Sequence, residues 1–371
     1  MVSPRAAVSA LPAYRPGRNP ADLAREIGVP KAVKLASNEV AFPPLPAVVA
    51  AISQVAGETN RYPDNGAAVL TGALAQRYGV DPGQVAVGCG AVTLLQQVTQ
   101  AFVEPGAGLA FAWRSFEMYP LLAQVAGARA VQVPLVASTG GGPSDTHDLE
   151  ALAAALDEDT RVVLVCNPNN PTGTAVRRAQ LEAFLDAVPA STLVVLDEAY
   201  REFVTDPEVT DGTELMRGRP NVAVLRTFSK AWGLAGLRVG YLLAEDPAVA
   251  DAVRRTHVPF GVSMVAQAAA VAALASEDEV RARVAEVTAE RDRLTAALRE
   301  RGQAVADSQA NFVWLPLGER TAEVAAGLEA RAVITRPFAG EGLRVTVGTP
   351  EEDDVFLAAF DEVVAGADAL G

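Results

Sequence analysis

Lys230 lies in RTFSKAWGLAGLRVGY, just beyond the apolar run VAVL and with glycines close behind it. A lysine desolvated at such a strand end has a lowered pKa and acts as a nucleophile, whereas the same residue in water is a plain surface charge. Its neighbours favour the first reading. Thr227, Ser229 and Arg238 set two hydroxyls and a guanidinium around it, which suits a phosphate held at a fixed distance from the amine. The turn Gly88-Cys89-Gly90-Ala91 leads into the helix-like LLQQVTQAF, and would offer backbone N–H groups and a helix N-terminus to the same anion.

Asp197 closes the apolar run LVVLD, so its carboxylate is expected to be buried and to need a cationic or hydrogen-bonding partner. A protonated pyridine nitrogen is one such partner, and a helix N-cap is the alternative. Tyr200, three residues on, and Asn170 in NPNNPTG could donate to a phenolic oxygen on the same ring. The NPNNPTG run reads also as a rigid turn. Arg344 sits among apolar neighbours in LRVTVGT, where an inward guanidinium needs a carboxylate, either the substrate's or the protein's own.

These residues follow apolar runs in a stretch, about 85 to 245, where VAVG, GLAFAW, VQVPL, RVVLVC, TLVVLDE, NVAVLRT and GYLLA alternate with helix-like segments. The alternation predicts an α/β domain around a mostly parallel sheet, with strands buried on both faces and ligands bound beyond their carboxyl ends. Residues 276–301 read as a long surface helix, and NFVWLPL, AVITRPF and LRVTVG as strands around a helix at 321–331. With a closing helix from about 351, this predicts a second, smaller α/β domain. The first 35 or so residues, with prolines at 4, 12, 16, 20 and 30, read as an extended arm able to wrap a partner subunit. STGGGPSD at 138–145 reads as a surface loop.

A length of 371 residues suggests two packed domains, and a net charge of -14 disfavours nucleic acid and anionic membranes as partners. No stretch has the length of a secretory signal or a membrane span. Cys89 and Cys166 each lie in apolar runs and read as buried thiols, which points to a reducing cytoplasm. His147 and His257 belong to no metal-ligand pattern, so no metal is expected. The Gly88-Cys89-Gly90 turn could also suggest a dinucleotide, but no acidic residue ends a second strand about 20 residues on.

Taken in order, NPNNPTG, DEAY and SKAWGLAGLRVGY resemble the fold type I pyridoxal-phosphate (PLP) aminotransferases, specifically the histidinol-phosphate aminotransferase family. KLASNE, RYPDNG and LRVTVGT extend the resemblance nearly end to end, while VAVGCGAVTLLQQ, WRSFEMYP and SQANFVWLPLG look closer to the aromatic (phenylalanine) aminotransferase branch. The resemblance implies a large PLP-binding domain at 41–260 with a mostly parallel seven-stranded sheet, a small C-terminal domain at 261–371, and an N-terminal segment at 1–40. It implies Lys230 as Schiff-base lysine and proton shuttle, Asp197 on the pyridine nitrogen, and Tyr200 and Asn170 on the phenolic oxygen. Gly90, Ala91, Thr227, Ser229 and Arg238 would hold the phosphate, and Phe116 would stack on the ring. Arg344 would bind the substrate carboxylate, with Asn38 and Tyr14 also at the substrate. The family's active sites lie at a homodimer interface, so Tyr62 would reach the neighbour's cofactor phosphate.

The activity expected is ping-pong transfer of an amino group between phenylalanine, tyrosine or tryptophan and a 2-oxo acid such as 2-oxoglutarate. Trp113, Trp232, Phe260 and Phe338 could wall the substrate pocket, with ordinary core packing the expected role of any single one. Two departures bear on the substrate: the phosphate turn reads Gly-Ala-Val where a polar, acidic run is usual, and Val40 replaces a common asparagine. The alternative is histidinol-phosphate transamination, in which a cation such as Arg336 would hold the second phosphate.

Overall fold

The computed structural model describes residues 2–11, 18–137 and 145–368. Among them, Val85–Gly88 (β1), Gly108–Trp113 (β2), Arg129–Pro134 (β3), Thr160–Cys166 (β4), Leu193–Asp197 (β5), Val222–Thr227 (β6) and Gly240–Ala244 (β7) form a seven-stranded sheet in the order β1-β7-β6-β5-β4-β2-β3. All neighbours pair in parallel except β7, which runs antiparallel to β1 and β6.

The continuous apolar runs are explained by two cores. Val163, Val165, Val194, Leu196, Val222 and Val224 face one, and Val162, Leu164, Leu193, Val195, Ala223 and Leu225 face the other. Successive strand residues point to opposite faces, so a strand covered on both sides needs no polar alternation. One face is covered by helices Ala91–Phe102, Met118–Ala126 and Pro247–Arg255, through residues such as Leu94, Leu122 and Val253. The other takes Ala68–Tyr78, Arg178–Ala187 and Met264–Ala275 through Leu70, Phe184 and Ala269.

Beyond helix Glu277–Glu300, Phe312–Leu315 (β8), Arg336–Phe338 (β9) and Gly342–Thr346 (β10) form an antiparallel sheet in the order β8-β10-β9, backed by helices Thr321–Glu329 and Pro350–Asp368. The long helix is not wholly a surface element: Val280, Val287, Leu294 and Leu298 are buried, and the buried Arg291 donates to the carbonyl of Phe203 at 3.0 Å.

The opening segment differs from the extended arm expected. Helices span Ala6–Ser9 and Pro20–Ile27, and Val33–Lys34 pairs in parallel with Val333–Ile334. Pro20 is the first residue of its helix, where a missing N–H costs nothing, and Asn19 Oδ1 caps it by accepting from Ala21 N at 2.8 Å. The prolines therefore start structure here instead of preventing it. Of the loop read at 138–145, residues 138–144 lie outside the described residues. Among the described residues no helix is long and apolar enough to cross a membrane.

Candidate active site

Gly240, the first residue of β7, pairs with Thr227 on one side and Gly88 on the other. The carboxyl ends of β1 and β6 and the amino end of the antiparallel β7 therefore meet at one rim of the sheet. This brings three distant segments together: the Gly88–Ala91 turn, the residues from Thr227 to Lys230, and Arg238. Asp197 ends β5 at the same rim, and its carbonyl accepts from Asn167 N at 2.9 Å, so the NPNNPTG turn begins beside it.

At the turn, Thr227 Oγ1 donates to Ser229 Oγ at 3.0 Å and accepts from Ser229 N at 3.1 Å. Arg238 Nη1 donates to Ala235 O at 3.0 Å and approaches Ser229 Oγ at 3.4 Å. Gly90 has φ +84°, and a Cβ there would stand 2.7 Å from Arg238 Nη2. Only glycine leaves room for the guanidinium against the N-terminus of helix Ala91–Phe102, where backbone N–H groups and the helix dipole add positive potential. The hydroxyls, guanidinium and helix amides are donors gathered at one corner of the rim, an arrangement suited to cradling an anion. Gly240 is as tightly placed, since a Cβ would lie 2.9 Å from the Arg226 carbonyl and 3.0 Å from Ala91 N.

Lys230 Nζ donates to the Ser37 carbonyl at 3.0 Å and lies 5.9 Å from the Tyr200 ring centroid. Burial, then the positive charges of Arg344 and Arg238, hold the amine down to about 7, so a large share is neutral near pH 7. Asn38 is buried with φ +54°; its Nδ2 donates to the Tyr200 hydroxyl at 2.9 Å and its Oδ1 accepts from Thr346 Oγ1 at 3.0 Å. The N-terminal segment thus supplies both the carbonyl facing the lysine and the amide that orients the tyrosine. Burial holds the Tyr200 phenol above its ordinary range, against the opposing pull of Arg344.

Asp197 is buried, and burial pushes its carboxyl up to about 6 even though it accepts from the Tyr119 hydroxyl at 2.8 Å and from Ala199 N at 3.3 Å. A carboxylate kept dry in this way favours a cation at its open side. Phe116 packs edge-on against Tyr119, centroids 5.7 Å apart, so its ring and the Asp197 carboxylate are set by the same helix start. Tyr119 and Ser37 did not emerge from the sequence. Tyr119 stands three residues after Phe116, in the first turn of the helix that follows it, and that nearness could have pointed to it.

Arg344 lies on β10 opposite Trp314 and Arg336. Its Nη1 donates to Asn170 Oδ1 at 2.5 Å and its Nη2 to the Ala36 carbonyl at 2.7 Å. Engaging the Asn170 oxygen settles which end of that amide is left to donate. The small sheet, the N-terminal segment and the NPNNPTG turn converge on this guanidinium.

Of the expected pocket walls, Phe338 is buried against Trp314 at 5.4 Å, and Trp113 lies under the Arg114 guanidinium at 4.3 Å. Trp232 turns into the core instead, packing on Phe228 at 5.6 Å and donating Nε1 to Glu202 Oε1 at 2.9 Å. A large apolar ring beside a half-buried acceptor gains more there than at a solvated mouth. Phe260 stacks on Tyr62 with centroids 4.5 Å apart, and Tyr62 is 79% exposed, away from this chain's own cradle contacts. Tyr14 lies outside the described residues.

A doubly covered α/β sheet with a depressed lysine, a dry carboxylate and an anion cradle at one rim defines a fold type I enzyme built to carry a phosphorylated, ring-nitrogen cofactor. The family model for aminotransferase class I and II matches residues 30–360, and the chain belongs to that family. It is 55% identical over 353 residues to the aromatic amino acid aminotransferase of Streptomyces avermitilis, covering 95% of each chain. It is 56% identical over 354 residues to the protein of that name from Thermobifida fusca, again covering 95% of each. Among solved structures it is similar to the histidinol-phosphate aminotransferase of Sinorhizobium meliloti in complex with pyridoxal-5'-phosphate, with TM-score 0.88, 31% identity and 99% of both chains covered.

Proposed function

We propose that this chain is an aromatic-amino-acid aminotransferase that uses PLP to move the amino group between phenylalanine, tyrosine or tryptophan and a 2-oxo acid such as 2-oxoglutarate. The observation that carries the reading is Lys230, an amine held near neutrality at the rim where the anion cradle, the Asp197 carboxylate and Arg344 meet. Relatives at 55% and 56% identity that bear the aromatic name supply the substrate class.

The residues fit the cofactor. Gly90, Ala91, Thr227, Ser229 and Arg238 would hold its phosphate, in a cradle that a Cβ at Gly90 would fill. Asp197, too buried to be comfortable as an isolated anion, would face the ring nitrogen. Tyr200 and Asn170 would donate to the phenolic oxygen, and Phe116 would cover a ring face. PLP supplies an electrophilic carbon for the amine and an electron sink for the charge that develops at the substrate Cα.

The chain's own residues do the rest. Arg344 presents a fork to the substrate α-carboxylate and so fixes which Cα bond stands near the lysine. Lys230, neutral, takes the Cα proton on Nζ and would hand it, within the same half of the exchange, to the reacting carbon of the cofactor, the second half running this transfer in reverse; a base whose pKa lies near the working pH does both. The Asn38 amide keeps the Tyr200 hydroxyl aimed while the proton moves. The amino acid leaves as its 2-oxo acid before the second oxo acid enters, which makes the cycle ping-pong.

We also propose a homodimer with shared active sites. Tyr62, Val69, Val258 and Phe260 are large exposed apolar side chains, and the Tyr62–Phe260 stack is suited to reach a neighbour's phosphate cradle. Division into a cofactor domain at 41–260 and a small domain at 261–371 is supported by the separate seven-stranded and three-stranded sheets, although helix Met264–Ala275 packs on the larger one. Two unbridged cysteines suit a reducing cytoplasm.

The test is a single-turnover comparison. Bound cofactor should convert to its amine form faster with phenylalanine than with histidinol phosphate, by apparent second-order rate. Faster reaction with histidinol phosphate would overturn the aromatic reading, and no reaction with either would overturn the transaminase reading.

A further inference from the structure

Three guanidiniums surround the Phe338 ring: the Cζ of Arg114 lies 5.4 Å from its centroid, and those of Arg336 and Arg344 5.9 Å each. Arg336 and Arg344 are direct cross-strand partners on β9 and β10, so their side chains rise from the same face of the small sheet. Arg114 is bonded to Glu341, and Arg336 Nη2 meets Glu117 Oε2 at 2.7 Å.

Glu117 is unusual among these groups in where it starts. It follows Phe116 and opens helix Met118–Ala126, whose Tyr119 holds Asp197, yet its carboxylate crosses to the small sheet 219 positions away. It makes no side-chain cap for its own helix. The ion pair is partly shielded, with side chains 20% and 37% exposed, so its charges are felt across the mouth of the site without being fully screened.

We propose that Glu117 is a specificity-determining residue, which offsets the charge of Arg336 beside Phe338 and thereby weighs the site toward uncharged aromatic side chains and against ligands bearing a second anion. The proposal rests on Arg344 being the partner of the substrate α-carboxylate, as argued above. A distal carboxylate or phosphate reaching past Arg344 meets Arg336 next, and must there compete with Glu117 for the guanidinium. An aromatic side chain meets the Phe338 ring and a compensated charge instead. Arginine has five N–H donors, so Arg336 can share itself between Glu117 and a dicarboxylate oxo acid and still serve both halves of a ping-pong cycle. The carboxylate thus acts as a standing competitor, which discriminates by repulsion as well as by contact.

The test uses PLP-loaded protein and two unreactive carboxylates, 3-phenylpropionate and glutarate, with dissociation constants read from the change in cofactor absorbance. In Glu117→Gln, which keeps shape and hydrogen bonding, the ratio of the 3-phenylpropionate constant to the glutarate constant is expected to rise about tenfold. In the double variant E117Q/R336Q the gain should vanish, because the charge that Glu117 offset is gone. An unmoved ratio in E117Q, or a gain that survives in the double variant, would overturn the inference. Failure of the wild type to transaminate phenylalanine would instead sink the functional reading, and the ratio would still report on Glu117.

Discussion

Tyr119 donates its hydroxyl to Asp197 Oδ2 at 2.8 Å, joining the start of a helix to the end of β5 across 78 positions. That bond favours the charged carboxylate, and burial opposes it more strongly, leaving the group at about 6. In the proposed reading, a ring-nitrogen cation beside the carboxylate would offset that burial cost.

The pH dependence of stability follows with a definite sign. An aspartate raised from 3.8 to about 6 by folding contributes stability that is present below pH 4 and is lost as pH rises through 6. The loss is on the order of 2–3 kcal/mol. Asp197→Asn is expected to melt above the wild type in the cofactor-free state at pH 7–8 and level with it near pH 4, while binding PLP less tightly. Melting curves of both cofactor-free proteins across pH 4–8 check this; parallel pH profiles would show that the carboxyl is not perturbed.

Lys230 should show its depressed pKa in the capture of cofactor. The rate at which cofactor-free protein takes up PLP is expected to rise with pH up to about 7 and level off above it, since only the neutral amine attacks. Arg344→Gln removes one of the charges holding the lysine down and should move that profile to higher pH. Lys230→Ala should lose turnover on the order of 10⁴-fold, the upper range for a positioned proton-transfer group. Stopped-flow uptake between pH 6 and 10 is the measurement, and a rate still climbing beyond pH 9 would mean a solvated lysine.

Gly90→Ala tests the anion cradle without removing a charged group. An alanine at φ +84° is strained by about 1–2 kcal/mol, and its Cβ would displace Arg238. PLP affinity should fall roughly 10- to 100-fold, as expected for strain plus one weakened charge-assisted bond. Equilibrium titration with pyridoxal phosphate reads it, and unchanged affinity would place the phosphate elsewhere.

Arg344→Lys keeps the charge and loses the fork. The carboxylate, Asn170 and Ala36 can no longer all be served by one planar group. The expected effect is a 10- to 100-fold fall in kcat/KM for phenylalanine, carried mostly by KM, in the range of roughly 1.5–3 kcal/mol for a hydrogen bond to a charged group. Steady-state kinetics decide it, and a fall confined to kcat would assign Arg344 to the chemistry instead.

The strand ends were legible because each chemical residue follows an apolar run: Asp197 after LVVL, Lys230 after VAVLRT, Asn170 after RVVLVC. A strand buried on both faces announces itself by composition, and polar residues just past its end have few places to be other than the rim. The N-terminal helices are hidden in the sequence because Pro20 looks like a breaker until its place at a first turn is known. Trp232 takes the core position open to any large ring, because its nearness to Lys230 in sequence says nothing about which way it turns.

By itself the sequence determined the class of sheet, the segments that line its rim and the lysine proposed to carry the chemistry there, since these are matters of local pattern and residue type. Only tertiary structure decided the pairings that complete the site. Tyr119 with Asp197, Ser37 with Lys230, Asn38 with Tyr200 and Glu117 with Arg336 join residues 78, 193, 162 and 219 positions apart. Such contacts depend on how strands are ordered and how two sheets meet, and no local propensity encodes a distance across the fold.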